Sequence, residues 1–398
     1  MKNVIVIGDG MAGYPIEELG GKTPLQVAEK PNLDWIASNG RNGLLKNVPE
    51  KMPADSDVAI MSILGYDPRE YYTGRGPLEA AGMDIELEEG DVAFRCNLIT
   101  MDDGFIKDYS GGHLSTEEAE ELMEVVKKNF GNLGDFYVGV DYRHLFVLRN
   151  AKDVAGSLSC RAPHKIVGEK VDGNLIEPGS VDIAESLNRM MLESKEILSD
   201  HPINEKRVEE GKNPANAIWV WGQGVKPSLV PIFEKYGVRG AVISAVTLVK
   251  GLGVLAGMDK VDVPGVTGYY DTDYENKADY GLRSLVDHDL VLIHVEAPDE
   301  AGHSGDIEEK IRAIENLDNY IVGRFLDNLD EDFTVSVMAD HPTPIVVRNH
   351  VSDPVPFSIY STRGDKDNIS RFDEFEARNG SFGTLEGYKF MDVLFSSF

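Results

Sequence analysis

The chain has 398 residues, 39 basic against 68 acidic, for a formal net charge of −29 at pH 7. That balance excludes a sequence-independent grip on nucleic acid and attraction to an anionic membrane, both of which need clustered Lys and Arg, so no nucleic-acid or membrane partner is expected. The length exceeds the roughly 250–300 residues at which single cores stop growing, so two domains are expected. Any anionic substrate must be held by local positive charge, from metal ions or a few placed arginines. Cys96 and Cys160 are the only cysteines, too few for a disulfide framework or a thiolate cluster, which points to a reducing compartment. Met1 leads straight into a strand, and no apolar run approaches about 18 residues, so the expectation is a soluble, cytoplasmic protein.

In chain order, the apolar run Val4–Ile7 predicts a buried strand, and helical patterns follow at Pro24–Asn39 and Asp57–Leu64. Between about Asp84 and Asp172 short strands crowd together (Val92–Leu98, Phe136–Val140, His144–Leu148) around one helix. Ser115-Thr-Glu-Glu starts that helix with a capping-box pattern and Gly131 ends it. Strand and helix patterns then alternate through Ala217–Trp221, Ser228–Tyr236, Ala241–Val246, Thr247–Leu255, Leu290–Val295, Ile307–Leu329 and Thr334–Ala339. Alternation of this kind predicts an α/β fold, a doubly wound parallel sheet with helices on both faces. The expected division is a core of residues 1–84 and 173–398, with residues 85–172 as an inserted smaller α+β domain placed to act as a lid. The charged stretch Glu205–Lys212 reads as a solvated loop or helix end, Arg207 excepted.

The chemistry concentrates at strand ends. Asp9 closes the first apolar run, and Asp340-His341 follows Thr334-Val-Ser-Val-Met-Ala, where open α/β sheets place their ligands. Asp299, His303 and His350 make one compact set of a carboxylate and two imidazoles; Asp9, Asp340, His341 and the Ser56 oxygen make a second. Such mixed nitrogen and oxygen donors suit two divalent ions, Mn²⁺ or Zn²⁺, with Co²⁺ possible and Mg²⁺ a poorer fit to histidine. A pair of ions about 3.5–4 Å apart could clamp the entering and leaving oxygens of a phosphoryl group. Ser56 would be the nucleophile, because a cation and the N-terminus of the helix pattern beginning at Asp57 both favour its alkoxide. His294, inside an apolar run, reads as a core histidine or a support to the site, and His201 and His288 as structural or exposed.

Gly8-Asp9-Gly-Met, Gly21-Lys-Thr-Pro, Pro31-Asn32, Ser56-Asp57, Leu64-Gly-Tyr-Asp-Pro68, Gly74-Arg75-Gly-Pro, Glu296-Ala-Pro-Asp299-Glu-Ala-Gly-His303 and Asp340-His-Pro-Thr-Pro resemble the archaeal-type cofactor-independent phosphoglycerate mutases over nearly the whole chain. The resemblance implies an alkaline-phosphatase-like core with an inserted substrate-binding domain. It also implies glycolytic interconversion of 3-phosphoglycerate and 2-phosphoglycerate through a phosphoserine, without 2,3-bisphosphoglycerate. Within it, Ser110-Gly-Gly-His113 resembles the segment that supplies a substrate-contacting histidine, and Tyr142-Arg143-His144 an arginine-bearing strand. Asn204-x-x-Arg207 resembles a pair that grips substrate, and Lys277 a lysine near the phosphoserine.

One segment departs from the family pattern. In Ile218-Trp219-Val-Trp221-Gly-Gln-Gly224 an indole stands where an arginine often precedes the glycines, and relatives with this variation have been proposed as homoserine kinases. The alternative reading is therefore a metal-dependent phosphotransferase or phosphatase acting on another small acceptor. No Gly-x-x-x-x-Gly-Lys-Ser/Thr loop is present for a nucleotide. A third reading, a non-catalytic binding protein with a degenerate site, conflicts with the complete ligand set.

Overall fold

The computed structural model describes residues 1–177, 181–329 and 332–396. It divides into a larger unit, Met1–Tyr72 with Ser228–Phe398, and a smaller one, Thr73–Pro227. Strands β1 (Lys2–Gly8) and β2 (Arg41–Lys46) open the larger unit. The smaller unit then contributes β3 (Val92–Asp102), β4 (Phe105–Asp108), β5 (Asp135–Tyr137), β6 (Arg143–Leu148) and β7 (Ala217–Gly224). The chain returns to the larger unit with β8 (Gly240–Ile243), β9 (Asp259–Lys260), β10 (Leu290–Val295), β11 (Phe333–Met338), β12 (Val355–Ser361) and β13 (Gly383–Glu386).

The larger unit is built on an eight-stranded sheet in the order β13-β2-β12-β11-β1-β10-β8-β9. β1 lies at its centre, parallel to both β10 and β11, while β12 runs antiparallel between β11 and β2. Every residue of β10 and β11 is buried, as are Val4–Gly8 of β1, so both faces of the sheet are covered. That is why these strands read as continuous apolar runs rather than as alternation. Their C-terminal ends all emerge at one edge, which brings Asp9, Glu296, Asp299 and Asp340 within reach of one another.

In the smaller unit β3 pairs antiparallel with β4, β6 and β7, and β5 with β6. One sheet face, carrying Phe94, Cys96, Leu98 and Phe146, packs with Leu122 and Met191 from the helices Thr116–Phe130 and Val181–Ser199. On the opposite face Ala93, Leu145 and Val147 pack with Ala80 of the helix Arg75–Gly82. This unit is wider than the expected residues 85–172. The run Ala217–Trp221, assigned from sequence to the parallel core, is instead an antiparallel partner of β3, and it carries the helices before it into the same unit. Where the chain enters and leaves the unit it is clamped to itself: Thr73 Oγ1 donates to the Val225 carbonyl at 2.6 Å.

Local signals explain the helix boundaries. The predicted helix Pro24–Asn39 is two, Pro24–Val27 and Pro31–Asn39, because the residue before a proline is driven out of helical geometry. The helix Thr116–Phe130 starts on the expected capping box, Ser115 Oγ accepting from the Glu118 amide at 3.3 Å and Glu118 Oε2 from the Ser115 amide at 3.0 Å. The pattern Ile307–Leu329 is broken by a π turn over Leu317–Val322. Among the described residues no helix is long and apolar enough to cross a membrane.

Candidate metal centre and active site

The sheet edge assembles the ligands. Asp9, one residue past β1, is buried and held by its amide to the Val295 carbonyl at 2.9 Å. Asp340, just past β11, takes the Gly10 and His341 amides on Oδ1 at 3.0 and 2.7 Å, leaving Oδ2 directed away from them. Asp299 and His303 sit one turn apart on the helix Ala297–Ser304, so their side chains share a face and approach to 3.2 Å. His350 reaches in from the loop before β12, its Nε2 lying 3.4 Å from Asp299 Oδ1 and 2.9 Å from His303 Nε2. The rings of His341 and His350 stack at 3.9 Å.

Ser56 begins the helix Ser56–Ile63, with Asp55 at the cap position, so its hydroxyl stands at the positive end of the helix dipole. Its Oγ is 3.2 Å from His341 Nε2. The serine thus joins the Asp9, Asp340 and His341 set rather than capping the helix.

Whether these groups fit a cation can be read from what they lack. Asp9 Oδ1 and Asp340 Oδ2 are buried without a hydrogen bond among the described residues, a costly state for carboxylates that a cation would relieve. Donor atoms of Asp9, Asp340 and His341 lie within 4.8 Å of one another, as do those of Asp299, His341 and His350. Two imidazole nitrogens facing each other at 2.9 Å need a shared proton or ion between them. The donor set fits two divalent ions.

Electrostatics reflect the same crowding. Burial, with Asp340, Asp299 and Glu296 close by, raises the Asp9 pKa well above the usual carboxylate range. Burial opposes ionisation of Asp299 too, but hydrogen bonds from His303 and His350 outweigh it and hold that carboxyl well below its usual value. For His350 burial alone would lower the pKa, yet its contacts with Asp299 and Asp55 carry it up to about 10.

Two residues at this edge were not in the expected site set. His294 Nε2 lies 3.1 Å from Asp9 Oδ2, and its Nδ1 is 3.2 Å from Ser244 Oγ. Glu296 joins Asp9 and His294 in a third group of donor atoms within 4.8 Å of one another. The available signal was their spacing of two at the end of a strand, which puts both on one face.

The substrate-side expectations divide. Lys277, on the helix Tyr274–Ser284, is fully buried and donates to the His294 carbonyl at 2.8 Å. Its pKa falls to about 8 through burial, against the pull of Glu296. In the smaller unit His113 is exposed, with a left-handed φ of 53° that follows two left-handed glycines, a backbone state costly for a residue with a Cβ. Arg143 is half exposed, lies over the Tyr142 ring at 4.4 Å and is 3.9 Å from Asp141.

Asn204 and Arg207 are buried and bonded within the smaller unit. The Asn204 amide bonds Leu198 and Ala215 on all sides, with no exposed surface. Arg207 spends its fork on Glu118 at 2.6 Å and on the carbonyls of Asn213, Gly111 and Gly112. Both brace the smaller unit, with their polar atoms committed to it.

Comparisons with known proteins agree with this geometry. A family profile described as 2,3-bisphosphoglycerate-independent phosphoglycerate mutase (PhosphMutase) matches residues 37–204. The chain is 52% identical to 2,3-bisphosphoglycerate-independent phosphoglycerate mutase 2 of Methanothermobacter thermautotrophicus, over 99% of this chain and 97% of that one. It is 51% identical to the corresponding mutase of Methanosarcina mazei over the full length of both. Among solved structures it is similar to the PH0037 protein of Pyrococcus horikoshii, with a TM-score of 0.85 and 32% identity over 98% of this chain and 96% of that one. It is also similar to the cofactor-independent phosphoglycerate mutase of Thermoplasma acidophilum, with a TM-score of 0.66 and 31% identity over 99% of both.

Proposed function

The chain belongs to the family of 2,3-bisphosphoglycerate-independent phosphoglycerate mutases, and we propose that it interconverts 3-phosphoglycerate and 2-phosphoglycerate through a phosphoryl group carried on Ser56. The observation that carries this reading is the position of Ser56 Oγ at a helix N-terminus, 3.2 Å from His341, in a site where one oxygen each of the buried Asp9 and Asp340 carboxylates has no hydrogen bond among the described residues.

Ser56 Oγ gives up its proton and attacks phosphorus, the bond to the glycerate oxygen breaks, and that oxygen takes up a proton in its place. The neighbouring glycerate hydroxyl then gives up its proton and attacks the phosphoserine, and the serine oxygen is released and takes up a proton. Asp299, His303 and His350 would hold one divalent ion, and Asp9, Ser56, Asp340 and His341 the other, with Mn²⁺ preferred and Zn²⁺, Co²⁺ or Mg²⁺ as substitutes. Bound there, the ions would supply positive charge to the serine oxygen and to the transferring phosphoryl group. The helix Ser56–Ile63 adds its dipole to the stabilisation of the same oxygen. His294 positions Asp9 from the side away from His341, and Lys277 is placed to compensate Glu296. His113 and Arg143 are the substrate-facing candidates of the smaller unit.

The deciding experiment is a coupled assay of metal-loaded protein with 3-phosphoglycerate and no bisphosphoglycerate, followed by acid quench and mass spectrometry of the peptide containing Ser56. Product formation with a trapped phosphoserine supports the proposal. Turnover of ATP plus homoserine with none of 3-phosphoglycerate would replace it with the acceptor-switched reading.

A further inference from the structure

We propose that Thr343 is a positioning residue that ties the two metal-ligand sets together, its hydroxyl orienting Asp299 of one set and His341 of the other. The proposal rests on the two-ion reading of the site and not on the identity of the substrate.

The loop after β11 carries Asp340 and His341 and then runs alongside the loop that follows β1. Met11 and Ala12 bridge to Pro342, and the Thr343 amide lies 3.3 and 3.2 Å from the Gly10 and Ala12 carbonyls. Lys310, fully buried on the helix Ile307–Asn316, gathers the same segments, its ammonium donating to the Thr343 carbonyl at 2.5 Å, to Gly10 at 2.8 Å and to Ala12 at 3.4 Å. An ammonium has three protons to give, and three carbonyls take them. The backbone of Thr343 is thus fixed without help from its side chain.

Space is closed around that side chain. Gly10 has a left-handed φ of 59°, and a Cβ added there would stand 2.5 Å from Thr343 Oγ1. A Cβ added at Gly302, in the helix Ala297–Ser304 that bears Asp299 and His303, would stand 2.5 Å from the Thr343 carbonyl oxygen and 2.7 Å from its Cγ2. Neither position has room for a side chain. These are the glycines of Gly8-Asp9-Gly-Met and of Asp299-Glu-Ala-Gly-His303, and the close approach of Thr343 accounts for both. Thr343 itself has no exposed surface.

The hydroxyl has one hydrogen and two polar neighbours. It donates to Asp299 Oδ1, because an ionised carboxylate only accepts. His341 Nδ1 lies 3.4 Å from the same hydroxyl oxygen, which has spent its hydrogen on Asp299 and acts toward the ring only as an acceptor. His341 therefore carries its proton on Nδ1, and Nε2 is left as the bare nitrogen. Nε2 is the atom that faces Ser56 Oγ at 3.2 Å and Asp340 Oδ2 at 3.3 Å, among the donors of its set. In the other set, a held Oδ1 restrains the Asp299 carboxylate, whose Oδ2 lies 3.2 Å from His303 Nε2. One side chain sets the tautomer of a ligand in one set and the orientation of a ligand in the other.

The test titrates full-length protein, freed of metal by chelation, with Mn²⁺, by calorimetry and by EPR counting of unbound Mn²⁺, for the wild type, Thr343→Val, Thr343→Ser and Thr343→Ala. Valine keeps the methyl that packs on Gly302 and lacks the hydroxyl; serine does the reverse. Thr343→Val should weaken binding of both ions by about 10- to 100-fold, the usual effect of removing a partner that orients a ligand, while Thr343→Ser stays close to wild type. Thr343→Ala lacks both groups and should match valine, and its comparison with serine carries the result if the valine variant does not fold. Unchanged affinity in Thr343→Val, or a serine variant as weak as alanine, would overturn the proposal, the second by showing that packing is what matters. Weakening of one ion alone would overturn the tie between the sets. A wild type that binds a single ion overturns the two-ion reading and the tie with it, whereas two ions held at full affinity by Thr343→Val overturn the tie alone. Mutase turnover enters none of these measurements, so a failed substrate assignment leaves them standing.

Discussion

Ser56 combines a helix N-terminus with a histidine at 3.2 Å, and both act on its oxygen. Ser56→Ala should therefore lower mutase turnover by about a thousandfold or more while leaving the melting temperature near that of the wild type. Retention of a substantial fraction of activity would mean that the phosphoryl group travels by another route. His350 gives a pH prediction. Burial disfavours its charge, but Asp299 and Asp55 raise its folded-state pKa from 6.5 to about 10 in the metal-free protein. A raised pKa contributes stability that is fully present below the unfolded value and is lost as pH rises through the folded value. The metal-free protein should accordingly lose this contribution between about pH 6.5 and pH 10. Metal binding must displace the proton, so calorimetry in buffers of different ionisation enthalpy should show proton release on loading near neutral pH. Zero proton release would remove His350 from the ligand set.

At the scale of elements, the smaller unit separates two arginines that the family resemblance treated alike. Arg207→Ala would remove the guanidinium that Glu118 and three carbonyls share, and should cost about 2–4 kcal/mol of stability, read as a lowered melting temperature. Arg143→Ala, on a half-exposed side chain, should instead raise the KM for phosphoglycerate well beyond its effect on hydrolysis of p-nitrophenyl phosphate, with melting unchanged. The opposite pattern would exchange the two roles. Why sequence could not separate them is physical: both are arginines beside a motif, and only the fold decides whether a guanidinium finds carbonyls or solvent. The grouping of the candidate metal-site residues was legible because strand ends and a one-turn helical spacing fix where a side chain goes. β7 was not, since an apolar run carries no mark of whether its partner is parallel or antiparallel. His294 stayed open between a core and a supporting role because an apolar strand is the usual home of a core histidine, and its contact with Asp9 depends on the register of β1 against β10. The helix Thr116–Phe130 was readable to the residue because its capping box is a local interaction that needs no tertiary partner.

For the whole molecule, a net charge of −29 sets the terms on which an anionic substrate is held, and the cationic groups that counter it are few and placed. Exhaustive chelation should abolish mutase activity, and Mn²⁺ should restore it, whereas added 2,3-bisphosphoglycerate should change nothing. Full activity after chelation, or a requirement for the bisphosphate, would contradict the mechanism.

The clamp between Thr73 and Val225 makes the smaller unit modular. Its two ends are tied side by side, so residues 73–227 form a closed excursion from the chain rather than a bridge between distant points. A gene segment of this shape can be lifted out or exchanged without forcing the flanking chain to span a gap. The residues on either side, Tyr72 and Ser228, are then natural splice points for a short glycine linker. A smaller unit taken from a relative with an arginine at the Trp221 position could then be grafted onto an unchanged larger unit.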